Sequence, residues 1–236
     1  MTVADPSLAN DVGSQQASTV WLTHNKVQLA LHRLRDAVGQ VGRALLLLHG
    51  LGEQSPHDVP DWAARWPGAV YALDFTGHGQ STVPAGGGYS AEMLLADADA
   101  ALAHLGQVTV VGRGLGAYVA LMLAGARASS VHGAVLCDGG GLLGGSTSPT
   151  SQSFVSVQSR LHTPDPYALV ELSRDLRPAD YAVQFVHLAA NGSELAEPIA
   201  VCAMVRPPWL AAVVGELGVF TGTIDEALVA FAADVQ

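Results

Sequence analysis

The run Val108-Thr109-Val110-Val111-Gly112-Arg113-Gly114-Leu115-Gly116-Ala117-Tyr118 constrains the fold of this chain more than any other. Its first four residues are all β-branched and suit a strand, while the alanine- and leucine-rich stretch that follows, to Ala126, suits a helix. Three glycines at alternate positions lie between them. They permit a sharp turn and a close approach of helix to strand that side chains would prevent. A strand that feeds directly into a helix belongs to a parallel sheet with right-handed crossovers, whose ligands bind beyond the carboxyl ends of the strands.

The rest of the chain fits that scheme. Residues 21–24 and 27–34 alternate in polarity around Asn25-Lys26 and read as an antiparallel hairpin. Residues 43–48 form a continuous apolar run, as in a strand covered on both faces, and 69–73 form the next strand after a short helix at 61–66. A helix is expected over 90–105 with Ser90 as its N-cap, then the strand at 108–111, the helix at 115–126 and a strand at 131–137. From Gly139 to about Glu197 the alternation gives way to a Gly/Ser/Thr/Pro-rich stretch with helical pieces at 166–176 and 178–190, which reads as a cap-like insertion. A strand at 198–205, a helix at 208–216 and a final helix at 223–235, opened by a Thr223/Glu226 capping box, complete the chain. The expected organisation is a leader at 1–18, core at 19–138, insertion at 139–197 and core again at 198–236.

Charge and composition remove several classes of function. Eleven Lys and Arg against 21 Asp and Glu give a formal net charge of −10, which repels nucleic acid and anionic membranes. No apolar run approaches the roughly 18 residues of a membrane span, and the polar N-terminus lacks the pattern of a secretory signal, so a cytoplasmic chain is expected. The nine histidines show no metal-binding spacing, and no cofactor or metal is expected. The glycines at 112, 114 and 116 do not match the dinucleotide-loop spacing. Asp97 and Asp99 read as part of a solvated helix face, and Cys137 and Cys202, each within an apolar run, as buried free thiols.

Three blocks, His49-Gly50-Leu51-Gly52, the run from Asp74 to Ser81, and Gly112-Arg113-Gly114-Leu115-Gly116, occur in an order and at separations that resemble the α/β-hydrolase family. The resemblance implies an α/β-hydrolase fold, a mostly parallel central sheet flanked by helices with a small helical cap. In that family the third block carries a nucleophilic serine, and its place here is held by Gly114, which cannot form a covalent intermediate. The resemblance assigns the two oxyanion-hole amides to the backbone N–H groups of Leu51 and Leu115, and it places Asp138 where a catalytic acid stands. It also implies a histidine shortly before the last helix. Beyond His187 the chain has none.

These losses point to a pseudoenzyme that binds a small hydrophobic or acidic ligand, or a protein partner, through Leu51, Leu115, Arg113 and His78. Arg113 is expected either to attract an anionic ligand or to pair with Asp138. His49 and His78 match histidines that support loops in the family. The alternative is a weak hydrolase or lyase acting on a small ester-like or carbonyl substrate, which would use the two amides, water and an acid or base drawn from His78, Asp138, His162 or His187.

Overall fold

The computed structural model describes residues 18–24, 26–37, 42–145 and 162–233. The leader at 1–17, the segment 146–161 within the expected insertion and the last three residues lie outside the described residues. Eight strands form one sheet in the order β1-β2-β4-β3-β5-β6-β7-β8. Strands β1 (Ser18–His24) and β2 (Val27–Arg35) are the expected hairpin, and β2 runs antiparallel to β4 (Val70–Leu73). From β4 onward, β3 (Ala44–Leu48), β5 (Val108–Arg113), β6 (Val131–Cys137), β7 (Ile199–Val201) and β8 (Val219–Thr221) are parallel. The chain therefore has the α/β-hydrolase type of architecture, with both faces of a mostly parallel sheet covered.

One face carries α1 (Ala91–Leu105) and α2 (Leu115–Ala126). Ser90 caps α1, its hydroxyl accepting from the Met93 N–H at 3.3 Å. Helix α2 is apolar all round and almost wholly buried, as a helix between a sheet and a second helical layer must be. That second layer includes α4 (Ala179–Gly192) and α5 (Pro208–Val214). The α4 side chains Ala182, Phe185, Val186 and Ala189 belong to the same buried cluster as Leu121, Leu46 and Val110. Gly125 of α2 makes this packing close, since a Cβ there would come within 2.7 Å of the Phe185 carbonyl oxygen. Helix α3 (Pro166–Arg174) starts at Asp165, with proline in its first turn.

The opposite face is closed by α6 (Ile224–Ala232) and a 3₁₀ turn at Asp61–Ala63, around Leu45, Leu47, Val111, Val135, Ala200 and Phe231. The capping box of α6 is present in both directions. Three elements depart from expectation, the first being the short helix expected over 61–66, of which only the 3₁₀ turn at Asp61–Ala63 forms. Strand β7 stops at Val201 rather than 205, because the Met204 and Val205 N–H groups turn to the Asp138 carboxylate, at 2.7 and 3.0 Å, instead of a strand. Strand β8 was not expected at all, since three residues after Gly218 are too short to show a period. Among the described residues no helix is long and apolar enough to cross a membrane.

Candidate functional site

The elbow at the end of β5 places Gly114 above the sheet as the N-cap of α2, with φ 57° and ψ −116°, a conformation that strongly favours glycine. Beside it, the loop after β3 brings the Leu51 N–H and the first turn of α2 brings the Leu115 N–H to a common point. The resemblance assigns a substrate oxygen to that point. A backbone oxygen of the chain itself occupies it. The Gly140 carbonyl accepts from Leu51 N at 2.8 Å and from Leu115 N at 2.9 Å. Both amides expected to face a ligand are thus engaged by the chain's own backbone.

The same segment fills the place of a nucleophilic side chain. A Cβ on residue 114 would lie 2.1 Å from the Gly140 oxygen and 2.5 Å from the Gly139 carbonyl carbon. The close approach works in reverse too, since a Cβ on residue 140 would meet the Leu51 oxygen at 2.5 Å. Glycines at 139, 140 and 141 thus form a backbone plug that enters the site because it carries no side chains.

Residues outside the expected set fasten the plug. Arg177, only 3% exposed, donates to the Gly141 and Leu142 carbonyls and lies 5.0 Å from the centre of the Tyr118 ring. Burial lowers its pKa to about 10, against opposing contributions from Asp175 and Tyr118, which leaves the guanidinium charged at neutral pH. The Trp209 indole donates to the Leu142 carbonyl at 2.9 Å. Glu53 accepts from Gly140 N at 3.3 Å and from Gly50 N at 3.1 Å, joining the plug to the loop after β3. The one sequence sign of this arrangement is the glycine run directly after Asp138. Nothing local marks Glu53, Arg177 or Trp209.

The remaining candidates serve structure or point elsewhere. Arg113 is paired with Glu53 at 3.4 Å rather than with Asp138, whose two carboxylate oxygens accept the Met204 and Val205 amides. Asp138 thereby acts as a loop cap between the ends of β6 and β7. His78 is fully buried. Its Nε2 accepts from Gly52 N at 3.3 Å and its Nδ1 donates to the Thr76 carbonyl at 3.2 Å, so both nitrogens are in hydrogen bonds to backbone. His49 is held in the same way, by the Phe75 N–H and the Gly50 carbonyl, and burial lowers its pKa to about 4, the neighbouring His78 adding to the effect. On α4, His187 pairs with Glu216 at 2.9 Å. His162 is exposed and precedes α3.

Two acidic residues hold the loop after β4. Asp74 accepts from Ser55 N, Gln80 N and the His32 ring. These bonds, the one from His32 first, hold its carboxyl at about 2 although burial opposes ionisation. Asp97, 1% exposed, accepts from the N–H and hydroxyl of Thr76, and burial pushes its carboxyl up to about 7. It does not lie on a solvated face as expected; Asp99 does, in a two-bond pair with Arg127. Helical spacing separates the two faces but does not say which is buried.

Behind the elbow, on the α6 side of the sheet, a cleft of about 240 Å³ opens between β3, β5 and the loop after β3. Leu47, Leu48, Val111, Pro60 and Trp62 give it apolar walls, and His49, Glu53, Gln54, Ser55 and half-exposed Arg113 add polar ones. Among the described residues no cluster of His, Cys, Asp or Glu could hold a metal ion.

A search of curated protein sequences finds no match. Among solved structures, the chain is similar to a Pseudomonas putida S16 N-formylmaleamic acid deformylase at 16% identity and a TM-score of 0.59, over 89% of this chain and 93% of that one. It is similar to a thioesterase domain from the curacin biosynthetic pathway at 16% identity and a TM-score of 0.56, over 93% and 99% of the two chains. An epoxide hydrolase of Vigna radiata matches at 20% identity and a TM-score of 0.42, and this chain spans only 38% of that protein. The family model that matches, over residues 45–234, is described as the alpha/beta hydrolase family, and the chain belongs to that family.

Proposed function

We propose that this chain is a non-hydrolytic member of the family that acts by binding, and that its ligand is a small molecule with an apolar body and an acidic group, taken in the cleft beside Arg113. The observation that carries the reading is the Gly140 carbonyl, which accepts from both Leu51 and Leu115 and excludes a side chain at residue 114. Acyl transfer needs those amides free for the developing oxyanion and a nucleophile with a base beside them. Here the amides are taken, the nucleophile is a glycine, and both nitrogens of the nearby histidines 49 and 78 are in backbone hydrogen bonds. A weak hydrolase working through water meets the same obstacle, since it needs the same amides.

The binding half of the reading is supported by the cleft. Its volume suits a small ligand, its walls are apolar, and Arg113 uses one guanidinium nitrogen at long range and so keeps donors for a carboxylate. The test treats the purified chain with a fluorophosphonate probe and a panel of short p-nitrophenyl esters, then titrates it with phenylacetate by calorimetry. The expected result is no labelled serine, ester hydrolysis at the buffer rate, and saturable phenylacetate binding that Arg113→Met abolishes. Labelling or turnover overturns the non-hydrolytic reading, and absence of saturable binding overturns the ligand class.

A further inference from the structure

The chain has two cysteines, and the sheet brings them side by side. Strands β6 and β7 are parallel, with Val135 opposite Ala200 and Leu136 opposite Val201, and the next residues along each are Cys137 and Cys202. The ladder continues to that pair, because Cys202 N donates to the Leu136 carbonyl at 2.9 Å. Both side chains lie on the same sheet face as Val135 and Ala200, and both are partly exposed. Neighbouring strands stand about 4.8 Å apart, which falls within the Cα separation of roughly 4.4–6.8 Å that a disulfide spans.

The thiols also differ in a way that suits exchange. The two act on each other in opposite directions. The neighbouring Cys202, together with burial, raises the pKa of Cys137, whereas the neighbouring Cys137 lowers that of Cys202. Cys202 is the one poised to ionise first, and the thiolate is the attacking species.

We propose that Cys137 and Cys202 form a redox-reactive dithiol that closes to an intramolecular disulfide on reaction with a low-molecular-weight disulfide such as oxidised glutathione. The Cys202 thiol gives its proton to solvent and its sulfur attacks one glutathione sulfur. The glutathione S–S bond breaks, and the first glutathione leaves as a thiolate that takes up a proton. Cys137 then loses its proton and attacks the Cys202 sulfur of the mixed disulfide, releasing the second glutathione. The chain loses two protons and two electrons, and one glutathione disulfide takes them up to become two thiols.

The bond would form at the base of the plug. The chain passes from Cys137 through Asp138 into residues 139–141, and from Cys202 to the Met204 and Val205 amides that Asp138 binds. Closure would add a covalent link where those two hydrogen bonds now join the strand ends. The inference is independent of whether the chain hydrolyses anything.

The test incubates the full chain with oxidised glutathione, alkylates remaining thiols under denaturing conditions, and measures intact mass without reductant. With two cysteines in the chain, a monomer that has lost two hydrogens and carries no alkyl group identifies the pair. Trypsin, which does not cut before proline, should then yield peptides 128–160 and 175–236 joined, and dithiothreitol should separate them. In Cys137→Ser the mixed disulfide on Cys202 should persist, because nothing resolves it. Recovery of the wild-type chain with both thiols alkylated, with persistent glutathione adducts, or as disulfide-linked dimers overturns the proposal, and this readout decides it even where the variant does not fold.

Discussion

Gly114 constrains the site more tightly than any charged residue does. Its left-handed φ of 57° is one reason for glycine and the Gly140 oxygen, 2.1 Å from where a Cβ would stand, is a second. The two costs act together in Gly114→Ser, because relief of the clash requires the plug to leave the Leu51 and Leu115 amides. Strain at such a φ costs about 1–3 kcal/mol, and unpaired buried amides cost about 1–3 kcal/mol more. Urea denaturation of Gly114→Ser should show a loss of about 2–6 kcal/mol, and the variant should remain unlabelled by a fluorophosphonate. A variant as stable as the parent would mean that the plug moves aside freely. The identity of residue 114 was legible in the sequence. The reason a serine cannot simply be restored was not, because it lies in a loop 26 positions further along the chain.

At the scale of elements, the site is a junction of loops tied together by polar side chains, of which Asp97 and Arg177 are buried. Arg177, just before α4, holds the loop after β6; Asp97, on α1, holds the loop after β4; Glu53 joins the loop after β3 to the plug. Arg177→Met keeps much of the side-chain volume but removes both hydrogen bonds to the plug. The Leu51 and Leu115 amides should then exchange with deuterium at least tenfold faster, with core amides of β5 as the internal reference, since a factor of ten corresponds to about 1.4 kcal/mol, less than the roughly 1.5–3 kcal/mol of a charge-assisted hydrogen bond. Unchanged protection at both amides would show that Arg177 does not secure the plug. The strands and helices themselves were readable from periodicity and capping residues. The ties between loops were not, since isolated charged residues such as Asp97 and Arg177 carry no local sign of being buried.

For the whole molecule these ties set how stability responds to pH. Asp74 has a pKa of about 2 when folded against ~3.9 unfolded, so its contribution is present above about pH 4 and is lost as pH falls toward 2. His49 has a pKa of about 4 when folded against ~6.5 unfolded, so stability is also lost as pH falls through that window. Asp97 runs the other way. With a folded pKa of about 7 it retains a proton that the unfolded chain releases above ~3.9, so stability declines as pH rises from about 4 to about 7. Asp97 therefore offsets part of the rise with pH that His49, together with His78 whose pKa burial also lowers, contributes in the wild type. Asp97→Asn removes that offset, and its stability should climb with pH between about 4 and about 6.5 more steeply than that of the wild type, by up to about 1.4 kcal/mol per pH unit. Urea midpoints across that range check this, and a variant that parallels the wild type would show that Asp97 does not titrate there.

The sequence by itself determined the order of the strands and helices other than β8, the glycine at the nucleophile position and the absence of histidine after His187, because each is a matter of local periodicity or residue identity. Only the tertiary structure decided what occupies the site, that Arg113 faces Glu53 rather than Asp138, that Asp97 is buried, and that a three-residue β8 extends the sheet. The physical reason is plainest at the centre. The group in the two amides is a backbone carbonyl, which every residue carries, so no residue type announces it and only the path of the chain brings Gly140 there.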